Sequence, residues 1–469
     1  MTLSPRNSRR NPMLREVDDL GDLCPRLEGE HRADLCIVGG GYLGLWTALE
    51  IKAAEPSLEI CVIEADICGG GASGRNSGMA LPWWTKIEAL IAQCGTDEGL
   101  RLARASVIAI DEVAAFADTH GFDIEFARTG WLWGSTSPRE DGRWRGIIDA
   151  LDRHGEAPFA ELDRAGVEAL VDAPGFRGGA LDAACATLHP AKLVRGLRRV
   201  ALQRGITIFE ETAMTNLRRG SPALIETDAG QVLARRVVLA MNAWSTALPE
   251  LDRGIFILTS DDAVSDPVPD FMAQRRWADG PILTDSAVFV SGYRPMADGR
   301  VSAGVSGGAI AFGHLGRTRW EGPTPRAGDI AAAFTRGFGE GHGITFRDSW
   351  RGPIDRTRSG LPLFGPLPGH PNIHYGYGFS GNGIVGCRVG AQIMTALVLE
   401  RDDAWSNSGL VHPVEPWMPR EPIRYIGAHM VRQAIRRQDR LDRMDRDAGP
   451  ITRKLASLAP GGIVTTATD

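Results

Sequence analysis

Lysine is almost missing from this 469-residue chain: only Lys52, Lys86, Lys192 and Lys454 occur. Positive charge therefore rests on arginine, and the formal net charge is still −6. That balance argues against nucleic acid as a partner, which would need a basic face. Cysteine is sparse too. The seven residues (Cys24, Cys36, Cys61, Cys68, Cys94, Cys185 and Cys387) are odd in number and form no C-x-x-C pair. Neither a zinc site nor a disulfide framework is indicated, and a reducing, cytoplasmic setting is expected. No run reaches the roughly 18 apolar residues of a transmembrane span. Arg9-Arg10 is followed by Asp18, Asp19 and Asp22 rather than by an apolar stretch, so no twin-arginine signal is read there. The histidines are scattered without close carboxylate partners, which leaves no metal constellation. No G-x-S-x-G element supports serine hydrolysis.

Glycine, in contrast, is abundant: 57 residues, well above the ordinary share of about 7%. Its densest use is informative. Leu35, Ile37 and Val38 make a short apolar strand, and Gly39, Gly41 and Gly44 follow at the G-x-G-x-x-G spacing before a helical run from Leu43 to Leu49. The first glycine permits a tight turn, the second lets backbone N–H groups reach a pyrophosphate, and the third lets helix and strand pack closely. The pyrophosphate then sits at a helix N-terminus. A second strand, 58–63, ends in Glu64, an acid placed to accept from ribose hydroxyls and to repel a 2′-phosphate. The ligand is FAD or NAD rather than NADP.

The chain is expected to be α/β, α+β overall: a Rossmann-like dinucleotide domain interrupted by a mostly antiparallel substrate domain, with a C-terminal helical extension. Residues 1–32 read as an N-terminal arm. The nucleotide domain takes 33–90, 185–250 and 345–411, and the substrate domain 91–184 and 251–344. Residues 412–469 form the extension. Helices are predicted over 100–120, 191–204, 385–399 and from 423 to about 446. Strands are predicted at 122–127, 130–134, 206–209, 235–240, 287–290, 301–304 and 372–375. The extension's helix carries Ile426, Met430, Ile435 and Leu441 among arginines, and is expected to pack its apolar side on the body; docking a partner or a membrane surface is the other reading.

A second glycine-dense loop, 69–78, follows Glu64. A nicotinamide enzyme needs no such loop, whereas a long FAD molecule must be gripped beyond its ribose. Backbone groups of Ala72, Ser73 and Gly74 and the side chains of Arg75 and Asn76 are candidates to hold it. Trp83, Trp84 and Lys86 come next; a lysine among aromatics near a flavin is a candidate for substrate binding or oxygen reactivity. Gly381, Gly383 and Gly386 repeat the G-x-G-x-x-G spacing, but no strand ending in an acid follows the helix. This is read instead as a strand–turn–helix whose N-terminus faces the flavin, with Gly381, Asn382, Gly383 and Ile384 beside it. One dinucleotide site means no built-in NADH reductase, so electrons leave to oxygen or to a separate acceptor.

In order, these pieces resemble the FAD-dependent D-amino-acid oxidase superfamily, in the branch of glycine oxidase, sarcosine oxidase and γ-glutamylputrescine oxidase. The matching motifs are 34–44, Glu64-Ala65, 71–76, the strand ending at Trp244, Tyr293-Arg294 with 298–300, Trp350-Arg-Gly352, and 378–381 with Gly383. They span almost all of 34–400. Trp46, 68–76 and Trp83-Trp84 look most like the γ-glutamylputrescine oxidase group and related aminophosphonate oxidoreductases. Ser77, where a glycine is usual, and Ser359, where an Asp is usual, depart from the pattern. The resemblance implies oxidation of an amine C–N bond by hydride transfer to flavin N5, then imine hydrolysis. It implies Lys86, Tyr293, Arg294 and Trp350 on the substrate side and Trp244 on the FAD side. Many sarcosine-oxidase relatives bond flavin through a cysteine; only Cys387 is available here, beyond the glycine turn, so noncovalent FAD is expected. Arg294, Arg351, Arg356 and Arg358 are candidates to meet an acid group on a small amine.

Two other readings remain. One is an FAD-dependent dehydrogenase of 2-hydroxy acids or glycerol phosphate, which would need a base such as His189 or His314 near the flavin. The other is a non-catalytic flavoprotein subunit with 412–469 as its interface. A homo-oligomer is compatible with each.

Overall fold

The run Leu35–Val38 has no polar residue because it lies at the middle of a parallel sheet. The strand Gly29–Val38 pairs with Ile60–Ile63 on one side and Gly230–Leu239 on the other. Successive side chains point to opposite faces. Leu35 and Ile37 enter one apolar cluster, with the helices Tyr42–Ala54 and Gly383–Val398, while Cys36 and Val38 enter another. A strand buried on both faces reads as continuously apolar. The computed structural model describes residues 11–17, 22–313 and 322–461. Across this sheet the strands run 363–367, 370–377, 230–239, 29–38, 60–63 and 207–209, with 216–218 and 223–226 attached beside 230–239.

A second eight-stranded sheet stands against the first. Its order is 346–356, 256–265, 301–305, 291–295, 282–284, 131–134, 179–182 and 159–162, antiparallel except where 282–284 meets 131–134. The helix Ala327–Phe338 covers it through Phe334 and Phe338, which pack with Trp277 and Tyr293.

The expected domain limits shift in two places. The strand Phe346–Arg356, assigned by sequence to the nucleotide domain, belongs to the second sheet, where it pairs along its length with Phe256–Ser265. The helix Thr96–Thr119, assigned to the substrate domain, packs on the nucleotide side against Gly383–Val398. Two expected strands are loops. Residues 122–127 have only an isolated bridge from Ala127 to Thr187, and 287–290 form no ladder. Both are short apolar runs whose alternation reports burial without a pairing partner.

The described parts of both terminal segments are tied down. Met13 and Leu14 of the arm are fully buried, and Leu14 presses on Gly74, where a Cβ would meet its Cδ2 at 2.9 Å. Glu16 accepts from Arg300 through both oxygens at 2.7 Å and contacts His189 Nε2 at 3.0 Å. Burial alone would raise this carboxyl, but His189 and Arg300 overcome it and hold it at about 2. Because the folded value lies below the usual one, the contact stabilises fully above about pH 4.5 and is lost as pH falls toward 2. Glu16→Gln is therefore expected to melt below wild type at pH 6, with the gap closing between pH 4.5 and pH 2. A gap independent of pH in thermal melts would refute the assignment.

The helix Ile423–Arg443 docks less by its apolar side than expected. Ile435 is buried and Leu441 half-buried, but Ile426 and Met430 are exposed. Polar groups do more: Asp439 accepts from Val288 N at 3.0 Å and Phe289 N at 3.1 Å, and Arg436 donates to Gly307 O at 3.2 Å. Among the described residues no helix is long and apolar enough to cross a membrane.

Candidate active site

The dinucleotide turn has the geometry its spacing demands. Gly39 sits at φ +116°, and a Cβ there would meet Ala240 O at 2.4 Å. A Cβ on Gly44 would stand 1.9 Å from Gly39 O, so only glycine lets the helix Tyr42–Ala54 approach the strand. Gly41 caps that helix and faces Ser73, whose Oγ accepts from Tyr42 N at 2.9 Å. Glu64 ends the second strand. Its two oxygens accept from Gly40 N at 2.7 Å and Asp66 N at 2.9 Å, while burial pushes its carboxyl up to about 7.

Beside the start of this helix, at Tyr42, a cavity of about 340 Å³ lies against strands of the second sheet. Ala72, Ser73, Arg75 and Asn76 line it at one side, and Gly381, Asn382, Gly383 and Ile384 at the other. Asn76 pins its own loop, donating to Ser73 O at 2.8 Å and accepting from Gly78 N at 2.9 Å; Arg75 Nε donates to Gly70 O at 2.8 Å. Gly74 is buried beneath that loop, and Trp244 packs on it at Gly71, 3.4 Å from the position of a Cβ. The Gly378–Asn382 turn is held by Asp355, whose carboxylate accepts from Gly378 N at 2.5 Å and is raised by burial to about 6. Apolar walls come from Met79, Leu81, Phe379 and Ile384. Trp83 and Trp84 lie in the core and do not line the cavity.

The site fits FAD. A Cβ on Gly383 would meet no atom within 4 Å, and one on Gly381 only Ile354 near that limit, so this helix start opens onto free space. The buried Oδ1 atoms of Asn242 and Asn382 have no protein partner. Both are suited to accept from the N–H edge of a flavin ring.

The four residues expected on the substrate side are not brought together here. Tyr293 is locked in the aromatic cluster of Phe334 and Phe338. Arg294 is fully committed to backbone: it donates to Ser77 O, to Leu188 O at 3.2 Å and to Pro295 O at 3.3 Å. Trp350 donates through Nε1 to Arg75 O at 2.8 Å. Trp350 and Arg294 thus brace the 75–78 loop from behind. Strand alternation turns Tyr293 into that aromatic cluster and Arg294 to the opposite face, behind the loop, and neither side chain lines the cavity. Lys86 is half-buried behind Asp355 and Arg356 of the cavity wall and donates to Gly360 O at 2.8 Å. Burial and the neighbouring Arg356, against the pull of Asp355, bring its amine down to about 7. His189 accepts from Lys192 N and meets Glu16, away from the cavity; His314 lies outside the described residues.

Two cavity residues carry charge that sequence reasoning passed over or left undecided. Arg356 is buried with Nε and Nη1 unpartnered, and burial lowers its guanidinium to about 10. Asp262 is buried on the strand Phe256–Ser265. The sequence signal for it was an Asp-Asp pair inside a predominantly buried strand.

Comparisons with known proteins agree with this geometry. The family model of FAD dependent oxidoreductases (DAO) matches residues 34–397. Gamma-glutamylputrescine oxidoreductase of Escherichia coli (strain K12) is 25% identical over 380 residues, covering 80% of this chain and 86% of that protein. Glycine oxidase of Pseudomonas putida is 24% identical over 396 residues, covering 77% and 93%. The crystal structure of glycine oxidase from Geobacillus kaustophilus superposes with a TM-score of 0.64 at 19% identity, over 80% of this chain and 96% of that one. With more than half its length matched by the family model, the chain belongs to the DAO family of FAD-dependent oxidoreductases, and FAD is its cofactor.

Proposed function

We propose that the protein oxidises the C–N bond of a small amine bearing an acid group, and that it holds FAD without a covalent bond. In this reading the pyrophosphate lies at Gly39, Gly41 and Gly44, Glu64 binds the ribose, and 72–76 and 381–384 hold the flavin end. FAD, when bound, supplies the hydride acceptor. The chain supplies position and a dry site. The observation that carries the substrate class is Arg356: a buried guanidinium in the cavity wall with two donor nitrogens unpartnered suits a carboxylate or phosphonate. Cys387 lines the cavity, but burial raises its thiol well above the usual range, which disfavours thiolate chemistry on the flavin.

Anaerobic absorbance titration tests this. The panel is 2-aminoethylphosphonate, sarcosine, glycine, γ-glutamylputrescine, putrescine and 2-hydroxyglutarate. Bleaching of the flavin band by an acid-bearing amine is the expected result, with acid precipitation then releasing FAD into solution. Bleaching by 2-hydroxyglutarate alone would overturn the reading. Reoxidation on admitting air assigns oxygen as the acceptor; its absence assigns a separate one.

A further inference from the structure

Asp262 is a buried carboxylate without a cation. It is 1% exposed, yet it lines the cavity. Its neighbour Asp261 points to the other side of the strand, where Thr324 Oγ1 at 2.6 Å and Arg326 Nη1 at 3.1 Å satisfy it. Among the described residues nothing comparable meets Asp262: no arginine, lysine or histidine lies within ion-pairing distance. Its side-chain hydrogen-bond partner is a hydroxyl: Ser77 Oγ donates to Oδ1 at 2.5 Å.

The surroundings leave the carboxylate open toward the cavity and closed elsewhere. Across the sheet Asp262 pairs with Gly304 on one side and Trp350 on the other. A Cβ on Gly304 would stand 2.5 Å from Oδ1, so glycine there makes room for the carboxylate. The nearest positive group facing it, Arg294, spends its N–H groups on three backbone carbonyls. Ser77 belongs to the loop that Trp350 and Arg294 brace, and it lines the same cavity. A lone buried carboxylate is destabilising unless something pairs with it. An ammonium ion entering the cavity is such a partner.

We propose that Asp262 receives the ammonium group of the substrate and takes its proton, so that the amine stands in the cavity as the free base. This rests on the amine-oxidising reading above. In the step one N–H bond breaks and one O–H bond forms: R–CH2–NH3+ and the carboxylate become R–CH2–NH2 and the carboxylic acid. Nothing is oxidised or reduced. The nitrogen lone pair it frees is what a later hydride loss requires. Burial pushes the Asp262 carboxyl up to about 7; Ser77 and Ser260 pull it down and Asp261 pushes it up. A base with that value both accepts and releases a proton near neutral pH.

The test uses the FAD-loaded protein and two variants, Asp262→Asn and Ser77→Ala. One readout is binding of 2-aminoisobutyrate, an acid-bearing amine with no α-hydrogen to lose, followed by the shift of the flavin band from pH 5 to 9. The other is anaerobic flavin reduction by the best amine of the panel. Asp262→Asn is expected to keep FAD, to bind 2-aminoisobutyrate at least about tenfold more weakly, and to slow reduction about 10²- to 10⁴-fold. The ionisation near pH 7 disappears from its profile. Ser77→Ala is expected to move that ionisation to higher pH, because the hydrogen bond that favours the carboxylate is gone. Wild-type affinity and an unchanged profile in Asp262→Asn overturn the inference while leaving the amine reading intact. Should Asp262→Asn lose FAD, an unmoved ionisation in Ser77→Ala overturns it equally. A wild type that no amine reduces and that ignores 2-aminoisobutyrate removes both the inference and the reading beneath it.

Discussion

Glu210→Ala is expected to destabilise the protein by about 3–5 kcal/mol, the usual cost of stripping one partner from a buried ion pair. The carboxylate is 0% exposed and each oxygen serves two donors. Oε1 accepts from Arg195 Nη1 at 2.8 Å and Cys68 N at 2.7 Å; Oε2 accepts from Arg198 Nη2 and Cys24 N, both at 2.9 Å. One side chain thereby ties the arm, the loop after the second strand and the helix Pro190–Gln203 together. Truncation removes the anion that both buried guanidinium groups share and the acceptor of two buried N–H groups. The effect is expected to survive high salt, since screening acts weakly on buried pairs. Glu210→Gln keeps an acceptor and is expected to lose less. Burial works against ionisation here, but Arg195, the two N–H groups and Arg198 hold the carboxyl below its usual value. The stabilisation is thus present at neutral pH and fades as pH falls through that lowered value. Denaturant unfolding at pH 7 is the measurement. A loss below about 1 kcal/mol, typical of exposed pairs, would show that the cluster does not act as described.

Gly44→Ala is expected to abolish FAD retention during purification. The added Cβ would sit 1.9 Å from Gly39 O and 3.2 Å from Ile37 Cγ2, and the nearer atom is backbone that cannot rotate away. The helix Tyr42–Ala54 must therefore back off the sheet, taking its N-terminal N–H groups away from the pyrophosphate. Overpacking of this kind costs about 3 kcal/mol at its upper end. If restoring the wild-type turn for FAD incurs that cost, binding weakens about a hundredfold. Gly383→Ala is the informative companion. A Cβ there meets no protein atom within 4 Å, so the apoprotein is expected to melt like wild type while FAD binds less well. Equilibrium FAD titration of both apoproteins, read by flavin fluorescence, separates the cases. Wild-type affinity in Gly44→Ala would refute the packing account. Wild-type affinity in Gly383→Ala would remove the second helix start from the FAD site.

The expected fold class and the cofactor turn were legible because their constraints are local. Eleven residues from Asp34 to Gly44 hold a strand, a turn and a helix start, and steric exclusion at Gly39 and Gly44 acts within that span. The helix Gly383–Val398 was equally readable from its glycine turn. What the tertiary structure alone decided was which side chains face the cavity. Asp262 and Ser77 lie 185 positions apart in the chain, and they meet only because two sheets and a braced loop bring them there. Asp261 and Asp262 are chemically identical neighbours, but strand alternation sends the first to Arg326 and the second to the cavity. The same alternation, with packing against Phe334 and three backbone carbonyls, took Tyr293 and Arg294 out of the site. Residue type and spacing along one strand specify the pleat; the register of strands far apart in sequence specifies which face becomes a site.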